Sequence, residues 1–460
     1  MDSSVLIVTI LILALFGYWM GRSRARMLAG TEHLSVLHSL PSYHGSYVAL
    51  WCGLPALLLV AAWLIFEPSI IEYIVVEAIP GARALEHAQL NLLIADIRNL
   101  TSGNIVSREI DPALAAAGEH YNSLKTISHA AMIVLALALA IYGLYLARKN
   151  QTRDFRARSR VEKIIRIVMV VASTIAILTT VGIILSLIFE TLRFFEKVSV
   201  TEFLFGLNWS PQTALRAEQV GSSGAFGAVP IFAGTFMITG LAMIVAVPIG
   251  LLSAIYMSEY AGPKLRAIAK PMLEVLAGIP TVVYGFFAAL TVAPFFRQTG
   301  EAAGLMVSSE SALAAGMVMG VMIIPFVSSL SDDVMNAVPH SLRYGSSALG
   351  STQPDKIQQV ILPAALPGIV GAVFLATSRA LGGTMVVVMA AGLATNLSAN
   401  PWEAVTTVPV QIVTLLVGDQ EFDSAKTLAA FALGLVLFII TLGLNMIALR
   451  VVRKYSEKYD

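Results

Sequence analysis

The chemistry in this sequence concentrates at one arginine. Arg379 lies inside a long apolar run, Leu366–Gly392, about 12 residues from either end and so ~18 Å from each at 1.5 Å per residue. It is the only charged residue more than a turn inside any of the chain's long apolar stretches. A guanidinium at that depth costs ~2.5–3.5 kcal/mol on insertion scales, and it is kept there for a partner acid or a water-filled path. Its planar fork can grip two oxygens of an oxyanion at once. Ser378 and Thr384 add hydroxyls nearby, while Gly382 and Gly383 loosen the helix and free backbone N–H groups. Two roles stay open on these grounds: a place on a substrate pathway, or a structural ion pair with an acid on a neighbouring helix.

A second pattern occupies residues 331–365. The other short polar segments on the same side of the apolar runs are basic, whereas this one is longer and mildly acidic. Ser341–Leu349 is predicted to form a helix with Leu342, Ala348 and Leu349 apolar, ended by Gly350, where the absence of a Cβ permits positive φ. A second short helix is predicted over Asp355–Ile361. Leu362-Pro363 and Leu366-Pro367 are then expected to stop it and turn the chain into the membrane. A short helix held by a glycine and two prolines suits docking of a cytosolic partner; the alternative is a structured loop with no partner.

Other chemistry is scarce. The single cysteine, Cys52, excludes an intramolecular disulfide and a Cys-rich metal or iron–sulfur site. No Gly-Lys dipeptide exists, so there is no Walker A loop, and no His-Glu-x-x-His is present. His33, His38 and His44 share one polar segment but have no recognised ligand spacing, and no cofactor motif stands out. Lys plus Arg (30) and Asp plus Glu (29) nearly cancel, which argues against nucleic acid as a partner.

The elements that must position Arg379 are membrane helices. Hydrophobic residues make up 57% of the 460 and charged residues 13%, with a mean hydropathy of +0.78, too apolar for a soluble fold to cover its own surface. About 20 apolar residues cross a ~30 Å hydrocarbon core. Nine runs qualify: Val5–Met20, Tyr47–Phe66, Ile127–Ala147, Ile164–Phe189, Ile231–Met257, Pro271–Phe296, Ala312–Leu330, Leu366–Gly392 and Thr427–Arg450. The first is an anchor and not a cleaved leader, because Asp2 precedes it and Arg22, Arg24 and Arg26 follow. The connecting segments sort into two alternating sets. The set holding 21–46, 148–163, 258–270, 331–365 and the C-terminal tail carries about twice as many basic as acidic residues, and the other set the reverse. The positive-inside rule then puts the N-terminus outside and the C-terminus in the cytoplasm. Residues 1–160 hold three spans and a long outer loop, 67–126, whose stretch Leu85–Ile97 carries Leu85, Leu90, Leu93 and Ile97 near one helical face. Residues 161–460 hold the other six spans.

Tyr344-Gly345-Ser346, three residues, Gly350, nine residues, Val360, one residue and Leu362-Pro363 resemble the "EAA" loop of ABC importer permeases. The glycine and the Leu-Pro match in register; Tyr344 stands where that family often has Glu. Leu276–Gly285, Ala337–Arg343, Ala364–Ile369 and Arg379–Met385 look, in order, like the phosphate importer permeases. The Thr-Met-Val-Val-Val-Met run and the tail from Asp423 to Tyr455 are similar to the PstC-type subunit. The resemblance covers about residues 160–460; residues 1–150 read as an N-terminal extension.

That resemblance implies an all-α membrane protein with a type I ABC importer permease core of six spans, preceded by three more, in the inner membrane of a bacterium. It implies phosphate transport driven by ATP. Its partners are a PstA-type permease, two PstB-type ATPase subunits and a PstS-type periplasmic receptor, and this chain is itself no enzyme. Arg343, Tyr344, Gly345, Ser346, Gly350, Val360, Leu362 and Pro363 are the expected contacts with the ATPase. Arg379, Ser378, Thr384, Gly382 and Gly383 are the expected pathway residues. The family usually has a Glu where Gly383 stands, so the local counter-charge is missing here. Rival readings are a permease for sulfate or molybdate, a secondary transporter or channel, and a membrane receptor. The spans lack the intramembrane acids that ion coupling would want, and a receptor leaves the EAA-like loop unexplained.

Overall fold

The computed structural model describes residues 3–29, 37–79, 87–102, 111–152, 154–211, 224–417 and 423–455. Asp2, His33 and Leu85 lie outside them. Within them the chain folds as two compact units, Met1–Ile177 and Leu178–Asp460, with the boundary inside a helix. Among the described residues, eight helices are long and apolar enough to cross a membrane, nine if one sharply bent pair counts as a span.

The first unit holds α1 (Ser3–Ala29), α2 (Pro41–Ala78), α3 (His87–Ser102), α4 (Pro112–Lys149) and the start of α5 (Ala157–Phe195). Leu6, Ile10, Cys52, Ala56, Val60, Met132, Ala136 and Ala140 pack α1, α2 and α4 together. Lipid supplies no hydrophobic drive to pack helices, so close backbone approach matters. A Cβ at Gly143 of α4 would fall 2.1 Å from the Trp51 carbonyl oxygen of α2, so only glycine fits. The region expected as an outer loop is mostly helix. α2 and α4 run on past their apolar runs, and α3 lays Leu93 and Ile97 against Ile71 and Val75 of α2 and Leu114, Ala117 and Tyr121 of α4. Of the first-segment histidines, His44 is buried between helices with both ring nitrogens unpartnered. No cluster of three or more metal-ligating side chains occurs among the described residues.

In the second unit the end of α5 leads to α6 (Val200–Phe205) and a short antiparallel pair, β1 (Trp209–Ser210) with β2 (Ala225–Phe226), Trp209 opposite Phe226. α7 (Val229–Ile255) ends in a wide π-type turn, Tyr256–Tyr260. α8 (Pro263–Ala277) and α9 (Thr281–Phe287), which continues through Ala288–Val292 into α10 (Ala293–Ala302), meet at 86°. The expected straight span Pro271–Phe296 is therefore broken. Pro280 is extended (ψ 136°) ahead of α9, which ends the helical path between the arms, and the Tyr284 hydroxyl donates to the Leu276 carbonyl at 2.9 Å, tying the two arms together. α11 (Ala312–Asn336) packs along α7 through Gly316 and Gly320, and α12 (His340–Ala348) follows.

From Gln353 the chain is helical without interruption to Leu381: α13 (Gln353–Lys356), a wide turn at Ile357–Ile361, and α14 (Leu362–Leu381). Leu362-Pro363 and Leu366-Pro367 do not stop a helix as expected. Pro363 falls in the first turn of α14, where a missing N–H costs little, and the wide turn before it makes room for the ring. The apolar run Leu366–Gly392 is also two pieces, because Gly382 and Gly383 separate α14 from α15 (Met385–Ala390). α16 (Val408–Leu416) and α17 (Ala425–Tyr455) complete the unit. Its largest core gathers Ile238, Ala242 and Ala246 of α7 with Val318, Met319, Ile323 and Val327 of α11, Ala376 and Ala380 of α14 and Val386 and Val387 of α15.

Candidate functional site

The break at Gly382–Gly383 sets the position of Arg379. It lies in the last turn of α14, not mid-helix, and its guanidinium is exposed. The carbonyl end of a helix carries roughly half a negative charge, which favours a cation there by about 0.3–1 kcal/mol. The guanidinium carbon stands 5.3 Å from the centre of the Phe326 ring of α11, a cation–π contact. No carboxylate pairs with Arg379 among the described residues. Its neighbours are more committed than the sequence suggested. Ser378 Oγ donates to Asn445 Oδ1 of α17 at 3.0 Å. The Gly383 N–H bonds to the Ala380 carbonyl at 3.1 Å and is not free, and a Cβ at Gly383 would sit 2.8 Å from Met319 Sδ. Gly382 is exposed, and Thr384 precedes α15 without a side-chain capping bond.

Phe326 also lines a cavity of about 200 Å³ with Lys270, Glu274, Pro325, Ser329 and Asp332. Asp332, fully buried, accepts two hydrogen bonds from Arg266 (3.0 and 2.9 Å), one from Lys270 (3.1 Å) and one from Asn336 (2.9 Å). Lys270 also reaches Asp333 at 3.1 Å. Sequence reasoning missed this cluster. Its signal was the matched spacing, Arg266 and Lys270 on one turn of α8 and Asp332 and Asn336 on one turn of α11.

The predicted docking helix forms at His340–Ala348, and Gly350 has φ of +81°. The Gly350 N–H bonds to the Ser347 carbonyl (3.1 Å) and that of Ser351 to the Ser346 carbonyl (3.2 Å), the paired bonds of a Schellman end. One side of α12 faces inward. Leu342 and Leu362 pack against the cluster of Ala254, Met335, Val338, Ile357 and Ile361. Arg343 ion-pairs with the buried Glu259 carboxylate and donates to the Met335 carbonyl at 2.6 Å. Ser346 Oγ donates to the Arg343 carbonyl at 3.0 Å. The other side is open: Tyr344 is 72% and Leu349 90% exposed, and Gly345 has nothing within 4 Å of a Cβ position. Tyr344 stacks on His340, with ring centres 6.0 Å apart. Val360 is half-buried and Pro363 exposed. Glu259, which also lies 4.0 Å from Lys356, was missed because the chain brings it to Arg343 only through the π-type turn after α7.

Residues 246–457 match the family described as "Binding-protein-dependent transport system inner membrane component". Residues 7–108, read from sequence as an extension without family likeness, match a second one described as "Phosphate ATP-binding cassette transporter". The chain is 34% identical over 278 residues to the "Probable ABC transporter permease protein YqgH" of Bacillus subtilis, covering 60% of this chain and 86% of that protein. It is 32% identical over 287 residues to "Phosphate transport system permease protein PstC 1" of Mycobacterium tuberculosis, covering 57% and 84%. Among solved structures, the MetNI methionine ABC transporter matches 50% of this chain and 95% of its own at 20% identity, with a TM-score of 0.37. Composition, spans and these sequence relationships together make this chain a member of the PstC-type permease family of phosphate ABC transporters.

Proposed function

We propose that this chain is one of two permease subunits of an ATP-driven importer of inorganic phosphate, and that it forms half of the translocation pathway beside a PstA-type subunit. Two PstB-type ATPases power the cycle from the cytoplasm and a PstS-type receptor delivers phosphate from outside. The chain itself performs no catalysis. It lies in the inner membrane of a bacterium with its C-terminus and α12 in the cytoplasm, the side favoured by its basic segments.

The observation that carries the substrate assignment is Arg379, a guanidinium with no acid paired to it among the described residues, in a chain with relatives named for phosphate transport. A phosphate dianion would displace part of the contact with Phe326 and take two N–H donors in a bidentate grip. The cation–π contact holds the side chain ready between arrivals, at a cost the anion easily overcomes. The buried Asp332 cluster, which lines a cavity with Phe326, offers Lys270 as a second cation. Coupling is assigned to α12, whose open side presents Tyr344, Gly345 and Leu349 while Arg343 and Ser346 fasten its inner side.

The decisive experiment is uptake by the reconstituted four-component complex. Labelled phosphate should accumulate only with ATP and receptor present, and labelled sulfate should not. Equal uptake of sulfate would move the assignment to another oxyanion, and uptake without ATP would remove it from this class.

A further inference from the structure

The first unit contains a feature that phosphate transport does not use. Along α2 and α4 runs an open groove of about 670 Å³, walled by Leu59, Phe66, Ile70, Ile74, Leu124 and Ile127. One carboxylate stands in the wall of this apolar groove. Glu67 has an 8% exposed side chain, and its Oε2 lies 3.4 Å from His129 Nε2. Its other oxygen, Oε1, is buried and has no hydrogen-bond partner among the described residues. A carboxylate oxygen withdrawn from water without a donor is costly, and native structures almost always supply one.

The position of the groove limits what could supply it. α2 and α4 are each 38 residues long, so about 57 Å at 1.5 Å per residue, nearly twice the hydrocarbon thickness. Their apolar runs end near Phe66 on α2 and begin near Ile127 on α4, and beyond them the helices form the bundle with α3. Glu67, Ser128 and His129 stand together at that joint. Trp63, whose indole N–H donates to Ser128 Oγ at 2.9 Å, is the kind of aromatic found at a membrane surface. The carboxylate is therefore at head-group height, and the apolar wall from Leu59 to Phe66 descends from it toward the bilayer.

We propose that this groove is a binding site for an aminophospholipid of the phosphatidylethanolamine type. The primary ammonium pairs with the Glu67 carboxylate, whose Oε1 turns toward it on binding, and an acyl chain lies along Leu59, Ala62 and Phe66. A primary ammonium offers three N–H donors with a full positive charge, which answers the orphaned oxygen directly. A quaternary choline head has no N–H to donate, and an anionic glycerol head is repelled by the carboxylate. The proposal is independent of the substrate assignment, because no residue of the groove belongs to the pathway or to α12.

The test is native mass spectrometry of the assembled transporter in mild detergent, given equimolar phosphatidylethanolamine, phosphatidylcholine and phosphatidylglycerol of matched chains. The wild type should retain phosphatidylethanolamine over phosphatidylglycerol by about tenfold, the worth of one charge-assisted hydrogen bond. Phosphatidylcholine should fall between the two. Glu67→Gln should lose the head-group preference and keep some lipid, and Ala62→Trp, which fills the membrane side of the groove, should lose retention. A wild type with no head-group preference overturns the proposal whatever the variants do. So does a Glu67→Gln complex that keeps the preference, or an assembled transporter in which a lysine of a partner subunit cross-links to Glu67.

Discussion

Arg379, in the last turn of α14, sits over the ring of Phe326 on α11: the guanidinium carbon lies 5.3 Å from the ring centre, and Phe326 also lines the cavity that holds Lys270 and Asp332. One aromatic side chain thus borders two cationic positions in the same unit.

Arg379→Gln should abolish or severely lower phosphate uptake while the complex still assembles, since no described carboxylate is left unpaired by the change. Arg379→Lys should keep part of the activity, because the charge remains but the bidentate fork does not. Uptake in proteoliposomes together with co-purification of the partners checks both. Normal transport by Arg379→Gln would remove Arg379 from the pathway, and failed assembly would favour a structural ion pair.

Gly350→Val should uncouple the permease from its ATPase. At φ of +81° a Cβ has open space around it, so the penalty is in the backbone alone, ~1–2 kcal/mol. A β-branched residue there would unwind the Schellman end and shift Leu349. Gly350→Asn should retain more function, because Asn tolerates the left-handed region. The readout is phosphate-stimulated ATP hydrolysis by the assembled complex. Wild-type turnover by Gly350→Val would count against α12 as the coupling element.

How much of this was legible differs from residue to residue. Apolar runs of membrane length located the long helices, and the glycine at 350 located the end of α12, because both are local signals. Arg379 was found but misplaced along its helix: hydropathy reads Leu366–Gly392 as one run and is blind to the break that two adjacent glycines make. Pro363 and Pro367 were read as helix stops because a proline's local effect was weighed without the wide turn that accommodates it. Asp332 with Arg266 and Lys270, and Glu259 with Arg343, are pairings across 62 or more residues, which no window along the chain can detect. Glu67 looked like the first residue of an outer loop, and only the continuation of α2 buries it.

Asp332→Ala should destabilise the second unit. The buried carboxylate neutralises Arg266 and Lys270, which are each about a third exposed, so the loss should sit at the low end of the ~3–5 kcal/mol seen for breaking buried pairs. Asp332→Asn should be milder, keeping the shape and one accepting oxygen. A thermal melt of the purified complex should rank the wild type above Asn and Asn above Ala. Identical melting of all three would show that solvent already satisfies both cations.

The Arg343–Glu259 pair offers the sharpest test of how α12 is held. Glu259 is 3% and Arg343 14% exposed at their side chains, so removing either one leaves an isolated charge in a nearly dry place. Arg343→Met should therefore cost ~3–5 kcal/mol. Part of that would be recovered if Lys356, 4.0 Å away, closes on the freed carboxylate. Glu259→Gln should cost less, since an amide still accepts from the guanidinium. Removing both charges, as Glu259→Leu with Arg343→Met, should restore much of the lost stability, because an apolar pair needs no desolvation of ions. A fastening role predicts a second outcome: each single variant weakens co-purification of the ATPase, and the double variant regains it in proportion to its melting temperature. If the double variant melts like the wild type yet still fails to bind the ATPase, Arg343 contacts the partner directly and is more than a fastener of α12.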